Sequence, residues 1–305
     1  MSNSVLNQGD LKETLDFFRV CKGQHSICLL KAAEIKRELI NEPSYLALFQ
    51  ELAVKWANGF TFSNRIELVK SAPEEGQICI EELYATLSKP AVLVLENEHS
   101  DLNFILTVLT SLNSKRLLST INKYWEVRGG GGSGEIIKCL NKSAERLRSA
   151  SRVSVVNDSD KLYSAANLPT TQVKIINHCR KLSVSHVTLK KREIENYIVD
   201  EVLSAIENID RDLKTVYLTL KPNQKDHYDL KKGVDEAKKG NYGGLFDQFS
   251  SVTLSNLSQG FGNDIAEKAF SLEHRELFTI TNINKRCKNI LPEFRQIELN
   301  IKNIL

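Results

Sequence analysis

The sequence predicts an α/β protein with a parallel-sheet, Rossmann-like core between helical N-terminal and C-terminal regions. Two observations predict this class. Short apolar runs alternate with helical patterns between residues 91 and 203, which is typical of βαβ units and a parallel sheet. Residues 1–90 and 204–305 instead carry apolar residues three or four positions apart, as amphipathic helices do. We therefore divide the chain at these boundaries.

Residues 1–90 are predicted to form a mainly helical region that packs on the rest of the chain or docks a partner. Its helical segments are DLKETLDFFRVCK, LLKAAEIKRELI and YLALFQELAVKWA. The turn-rich SAPEEG at 71–76 and Pro90, which cannot continue a helix, separate this region from the central one.

The central region, residues 91–203, is predicted to contain strands joined mostly by helices. The strands are AVLVL (91–95), YWEV (124–127), RVSVV (152–156), VKIINH (173–178) and HVTL (186–189). Helices are expected at 101–118 and 135–148, and another is expected to begin near Lys191. Residues 204–305 contain the basic stretch LKPNQKDHYDLKKG, the glycine-rich bend NYGGLF and a last amphipathic segment from about Leu272 to Leu305.

Composition excludes several classes of protein. Hydrophobic residues make up 41% and charged residues 26% of the 305 residues, as in ordinary globular proteins. The six cysteines include no C-x-x-C pair, which argues against a zinc site or a disulfide scaffold. A net charge of +3 permits a nucleic-acid partner without requiring one. No secretory signal or membrane-spanning run is seen, so a cytoplasmic location away from membranes is expected.

Acidic residues follow the predicted strands or open the helices beside them. Glu96, Glu98 and Asp101 follow the first strand, Asp158 and Asp160 follow the third, and Glu193 and Glu195 open the last predicted helix of the region. The glycine-rich turn RGGGGSGEI at 128–136 follows the second strand. In parallel sheets, ligands bind outside the carboxyl ends of the strands, so these acids are expected to converge.

A cluster of carboxylates needs a cation, because like charges raise one another's pKa. Mg²⁺, or Mn²⁺ in its place, prefers such oxygen ligands and can activate water for attack on a phosphodiester. Each signal alone has a simpler explanation: solvated strand ends, turn formers, or acids that complement a helix dipole. The glycine run also matches a flexible linker, but we interpret it as native because the βαβ pattern continues across it.

The order of strand-Glu, strand-glycines and strand-DxD resembles the TOPRIM domain shared by topoisomerases, bacterial primases and nucleases of the OLD (overcoming lysogenisation defect) family. The segment REIENYI, Arg192 to Ile198, resembles the corresponding segment of OLD-like nucleases and of stand-alone TOPRIM proteins of bacterial anti-phage systems. The resemblance covers about residues 91–200. It implies a metal-dependent DNA endonuclease, with RNA as a less favoured substrate, controlled by a regulatory protein partner or by homo-oligomerisation.

The resemblance also assigns roles to individual residues. Glu96 would be the motif glutamate, Asp158 and Asp160 the DxD metal ligands, and Glu195, with Glu193 as substitute, the late acidic ligand. Asp101 would match the aspartate of V-E-G-x-x-D, but LENEHSD has one additional residue and Asn97 in place of glycine. Whether Glu96 or Glu98 is the ligand therefore stays open. The ATPase phosphate loop that usually accompanies OLD nucleases does not occur in this sequence.

Basic residues beside the acids could hold the phosphates of a nucleic acid. They are Lys190, Lys191 and Arg192, with Lys225, Lys231 and Lys232 further along the chain. Lys191 is the lysine expected to stabilise charge on the phosphate. Two other functions remain as alternatives. One is a non-catalytic interaction module that retains the fold without metal. The other is a phosphatase with Asp158 as nucleophile and Asp160 as acid, although Leu162 stands where that motif expects Thr or Val.

Overall fold

The computed structural model describes residues 8–20, 32–57, 67–69, 77–129, 131–147, 152–234 and 236–305. The predicted turn at 71–76, Cys21 and Cys28 lie outside these residues. The strands are β1 (Glu67–Val69), β2 (Gln77–Cys79), β3 (Ala91–Leu95), β4 (Trp125–Gly129), β5 (Val153–Asn157) and β6 (Ser185–Thr188). The helices are α1 (Gln8–Val20), α2 (Ala32–Glu38), α3 (Pro43–Ala57), α4 (Leu83–Leu87), α5 (Ser100–Ser111), α6 (Lys115–Thr120), α7 (Ile136–Leu147), α8 (Thr170–Lys181), α9 (Asp200–Ala205), α10 (Arg211–Thr219), α11 (Pro222–Lys225), α12 (Ser251–Leu257), α13 (Ile265–Ala269), α14 (Ile280–Arg286) and α15 (Ile290–Lys302).

The central sheet is parallel, as the alternating pattern predicts. In the described part of the chain its strand order is β4-β3-β5-β6, and all three neighbouring pairs are parallel. The chain thus moves outward in one direction from β3 to β4 and then in the other from β5 to β6. In doubly wound sheets the point where the order reverses forms the ligand-binding crevice, at the carboxyl ends of the two strands. Here those strands are β3 and β5.

Helices cover both faces of the sheet, which explains why AVLVL is apolar throughout. Val92 and Val94 face a core formed with α7 and α8, while Leu93 and Leu95 face the core that contains α5 and α15. Successive side chains of a strand point to opposite faces, so a strand covered on both sides needs apolar residues at every position. All five residues of β3 are buried.

The C-terminal region shares its hydrophobic core with the sheet. Phe104 of α5 contacts Phe270 and Phe294 edge-on, with ring centroids 5.3 and 5.8 Å apart. One continuous cluster of buried side chains extends from Ala91 to Ile304. Residues 204–305 therefore pack on the α/β core and complete one of its faces.

The N-terminal region is mainly helical and has a core of its own. Phe17 of α1, Phe49 of α3 and Leu83 of α4 are buried together. The structure adds two short parallel strands, β1 and β2, that the helical pattern did not predict. Arg152 links this region to the sheet, since its guanidinium donates to the carbonyls of Thr86 and Lys89 at 2.8 and 2.7 Å.

Two predicted elements near the sheet are wrong. Residues 173–178, predicted as a strand, lie within α8, whose buried Gln172, Ile175 and Cys179 recur at helical spacing. The helix expected near Lys191 is instead a 3-10 turn over Ile194–Tyr197, followed by the short α9. The single helix predicted at 101–118 is divided into α5 and α6.

Within the described residues, every helix is too short or too polar to cross a lipid bilayer.

Candidate functional site

Four acids lie at the crevice between β3 and β5, and we call them the crevice acids: Glu96, Asp101, Asp158 and Asp160. Asp101 and Asp158 line one small cavity together with Asn157 and Ile194. Electrostatic repulsion connects the members further, since Asp160 and Asp101 act on Glu96, and both Asp101 and Glu96 act on Asp158. The structure thus brings together four of the five acids that follow the first and third predicted strands, and Glu98 is the exception.

The glycine-rich turn after β4 holds Glu96 in place. The N–H groups of Gly131 and Gly132 donate to the Glu96 carbonyl at 3.1 and 3.0 Å, and the N–H of Ser133 donates to its carboxylate. Gly129 pairs in register with Leu95 in the sheet. A Cβ on Gly129 would lie 2.3 Å from the backbone nitrogen of Glu98, so only glycine fits there. The glycine run is therefore an integral part of the fold.

Glu96 and Glu98 have different surroundings. Glu96 points into the acid cluster, and its Oε2 is buried without a hydrogen-bond partner among the described residues. Glu98 is exposed, and its Oε2 accepts the N–H of Gly129 at 3.4 Å. Glu96 is consequently the residue of this pair that faces the crevice. Asp101 lies in the first turn of α5, where its carboxylate accepts the N–H of Asn97 at 2.9 Å.

The loop that carries Asp158 and Asp160 is fixed by the chain segment that follows β6. The N–H groups of Ser159 and Asp160 donate to the Arg192 carbonyl at 3.2 and 2.9 Å, and the Ser159 hydroxyl donates to the Lys191 carbonyl. Asp160 has a φ of +54°, a conformation that aspartate tolerates better than most residues. Gln172 of α8 donates to Asp160 Oδ2 at 2.5 Å, so one carboxylate oxygen of Asp160 is already bound.

Glu193 and Glu195, which we call the helix-start pair, bind a lysine from the C-terminal region. Lys231 Nζ lies 3.1 Å from Glu193 Oε2 and 3.1 Å from Glu195 Oε1. Glu195 is 3% exposed, and its second oxygen, Oε2, is buried without a hydrogen-bond partner in the described chain. The helix-start pair therefore contributes to the same acidic region, but with its own counter-ion.

Burial and mutual repulsion raise the pKa values of these acids. Burial raises the pKa of Glu96 to about 7, and the carboxylates of Asp160 and Asp101 add to the effect. Burial also raises the pKa of Glu195 to about 7, although Lys231 opposes this. The pKa of Asp158 is raised well above its usual range by burial and then by Asp101 and Glu195. Such shifts are typical of functional sites.

Lys191 has a different position from the one expected. It is 4% exposed, its Nζ binds Asp226 Oδ1 at 2.5 Å, and it lies 5.5 Å from the centre of the Tyr197 ring. Lys225 is also buried and binds Asp200 at 2.8 Å. Neither ammonium is free to hold a phosphate. Lys190 and Lys232 are exposed.

A network of ion pairs with largely buried cations joins residues 191 and 192 to the C-terminal region, and we call it the charged bracket. Its members are the pairs Lys191–Asp226, Arg286–Asp226, Arg192–Asp229 and Lys225–Asp200, with distances between 2.5 and 2.9 Å. Asn196, from the REIENYI segment, donates to the carbonyls of Lys225 and Tyr228. The bracket thus ties the helix-start pair to the C-terminal region.

The donor set of the crevice suits a hard divalent cation, since it consists of carboxylate oxygens. The buried Glu96 Oε2, which has no hydrogen-bond partner among the described residues, also suits a divalent cation. A closed ligand shell is not formed, however: in the described parts of the chain no three His, Cys, Asp or Glu side chains are arranged to hold a metal ion. Binding would require the crevice acids to move toward the ion.

Comparison of the chain with protein-family models, curated proteins and solved structures finds no match. The function therefore has to be argued from the site itself.

The sequence did not single out three residues that shape the site. Lys231 appeared only as one of several lysines beyond the acids, and Asp226 and Gln172 carried no signal. Their roles depend on contacts between segments far apart in the chain. The one local indication was Asp226 beside Lys225 and His227, a polar run whose members are all largely buried.

Proposed function

We propose that the protein is a divalent-metal-dependent nuclease of the TOPRIM type that hydrolyses phosphodiester bonds, with DNA as the favoured substrate. The observation that carries this proposal is a buried oxygen of Glu96 that has no hydrogen-bond partner among the described residues and lies beside Asp101, Asp158 and Asp160 at the crevice. A buried carboxylate oxygen without a hydrogen-bond partner is costly to the fold, and a bound cation would remove that cost. The position of the crevice where the sheet order reverses also supports the proposal.

The crevice acids would hold the ion. When bound, Mg²⁺ or Mn²⁺ would supply a nucleophilic water and neutralise charge on the phosphate. The chain's own contribution is to fix the acids: the glycine turn positions Glu96, and Gln172 with the Arg192 carbonyl positions Asp160. Lys190 is exposed and would contact the phosphate backbone, which adds affinity without sequence preference.

Control of the enzyme is part of the proposal. A nuclease without sequence preference would damage its own cell, so we propose regulation by a protein partner or by homo-oligomerisation, as in an anti-phage defence system of the cytoplasm. The phosphate loop of an ATPase does not occur in this sequence, so nucleotide-driven control would have to come from residues outside it.

Cleavage of supercoiled plasmid tests this function. The protein is incubated with plasmid and Mg²⁺ or Mn²⁺, alongside a D158N/D160N variant and a control variant E207Q/D212N, whose substituted carboxylates are exposed. We expect nicking or linearisation by the wild type and the control, and at least a roughly 100-fold loss in D158N/D160N. Equal cleavage by all three preparations would reject the site. Single-stranded DNA and RNA are tested in the same series.

Two observations favour a second function, a non-catalytic interaction module with the same fold. The described acids do not form a ready ligand set, and the first motif departs from the family pattern. If this function is correct, calorimetry will detect no binding of Mg²⁺ or Mn²⁺. Binding that depends on Asp158 would exclude it.

A further inference from the structure

Lys231 is a cation that contacts both members of the helix-start pair. Its Nζ lies 3.1 Å from one oxygen of each member of the helix-start pair. Burial alone would lower the pKa of Lys231, but the charges of Glu195 and Glu193 outweigh burial and raise it. Lys231 therefore stays protonated, and it supplies a fixed positive charge to a region rich in carboxylates.

The backbone of Lys231 is held in place by hydrogen bonds and by a close approach of Gly260. Its N–H donates to Asp229 Oδ1 at 3.1 Å, and its carbonyl accepts the N–H of Gly262 at 3.2 Å. A Cβ on Gly260 would lie 2.4 Å from the Lys231 carbonyl oxygen, so this close approach requires glycine. The loop after α12 thus packs directly against the backbone of Lys231.

The two groups of acids differ in how their charge is compensated. Glu193 contacts Lys231 and also Arg192, whose Nε lies 3.4 Å from Glu193 Oε1. Glu195 contacts Lys231. By contrast, no ion pair joins a crevice acid to a lysine or arginine in the described residues, and the charge of Lys231 acts on Glu96 and Asp101 only from a greater distance.

We propose that Lys231 is the resident counter-ion of the helix-start pair and thereby removes that pair from the metal ligands, leaving the crevice acids as the complete protein ligand set. This inference rests on the proposed function and refines it. It assigns Glu195, the residue expected to be the late metal ligand, to anchoring Lys231 instead. Lys231 acts as a positioning residue that pairs with both carboxylates of the helix-start pair.

Thermal unfolding in EDTA at pH 8 tests the counter-ion without any metal. We compare the wild type with K231M and with K232M, which removes the exposed neighbouring ammonium. Loss of Lys231 leaves the buried Glu195 without its ion-pair partner, so we expect K231M to melt about 5 °C or more below the wild type. K232M should melt within about 1 °C of the wild type. A K231M melting temperature equal to that of K232M would overturn the proposal.

A second variant separates lost charge pairing from general damage. In K231M/E195Q a neutral amide replaces the buried carboxylate of Glu195, and Glu193 keeps Arg192 as its partner. We therefore expect the double variant to recover most of the decrease in melting temperature. If K231M does not fold, recovery of folded protein in K231M/E195Q supports the counter-ion, and failure of both variants to fold overturns it.

Calorimetric titration with Mn²⁺ tests which acids are the ligands. We expect E195Q to bind Mn²⁺ within about threefold of the wild-type affinity and D158N to bind at least about 30-fold more weakly. Equal weakening by E195Q and D158N would overturn the division of ligands. If the wild type binds no Mn²⁺, the proposed function fails together with this division, while the melts in EDTA still decide whether Lys231 is the counter-ion.

Discussion

The crevice and the charged bracket are two neighbouring regions rich in buried charge, and they differ in pairing. Every cation of the bracket has a carboxylate within 2.9 Å, as Arg286 has in Asp226. In the crevice, carboxylates face one another, and Glu96 keeps a buried oxygen unpartnered in the described chain. Individual nitrogens of Arg192 and Arg286 also lack a hydrogen-bond partner in the described chain, but both guanidinium groups have a carboxylate, so ion pairing is what distinguishes the two regions. Paired buried charges fix a structure, whereas clustered carboxylates suit a bound cation. The comparison therefore separates the scaffold from the candidate site.

The largest effect is expected from breaking the bracket. Asp226→Asn leaves the ammonium of Lys191 and the guanidinium of Arg286 buried without their carboxylate. Removing one partner of a buried ion pair typically costs about 3–5 kcal/mol of unfolding free energy. We expect urea unfolding, followed by circular dichroism, to show a loss of this size. Lys285→Met breaks the exposed pair with Glu201 and should leave the midpoint almost unchanged.

A smaller loss of unfolding free energy is expected from a substitution in the C-terminal loop that contacts Lys231. Gly260→Ala places a methyl group against the Lys231 carbonyl at a φ of +65°, which should cost about 1–3 kcal/mol. Gly240→Ala is the matched control, because its methyl group would meet no atom within 4 Å. The same urea titration measures both variants. Equal stability of the two would show that the loop after α12 does not constrain Lys231.

The stability of the metal-free protein should depend on pH because of the acids at the crevice. Glu96 has a pKa of about 7 in the folded protein against an ordinary value of 4.5, so between these values the folded state binds the proton more tightly. Metal-free stability should therefore fall as the pH rises from 4.5 to 7. Glu195 adds a fall in the same window.

Substitution of Glu96 isolates its share of this slope. In Glu96→Gln the decline of the melting temperature between pH 4.5 and 7 should become shallower, because one group that gains a proton on folding has been removed. Glu98→Gln should keep the wild-type slope, since Glu98 is exposed. A steeper or unchanged slope in Glu96→Gln would contradict the assignment of Glu96 to the buried cluster.

Sequence patterns predict the parts of this fold in which the apolar pattern of a short segment matches its burial in the folded protein. AVLVL is apolar throughout and forms β3 between two covered faces, as expected for a central parallel strand. VKIINH is equally apolar in part, yet it belongs to α8 because Gln172, Ile175 and Cys179 are buried along one helical face. A six-residue window cannot show that period, whereas the whole helix can.

The site was predictable only where it depends on strand ends. Glu96, Asp158 and Asp160 follow β3 and β5, so the parallel topology alone brings them to one edge. The counter-ions were not predictable, because Lys231 and Asp226 reach the site through the packing of the C-terminal region. Lys191, adjacent in sequence to the acids, is turned away from them toward Asp226.

The central claim is that the crevice acids bind a divalent ion, and a crystal structure with Mn²⁺ tests it most directly. Anomalous scattering locates Mn²⁺ independently of the protein atoms. We expect a peak at the crevice, contacted by carboxylate oxygens of Glu96 and Asp158, with Lys231 still bound to Glu195. Crystals in saturating Mn²⁺ without a peak between these acids would contradict the account.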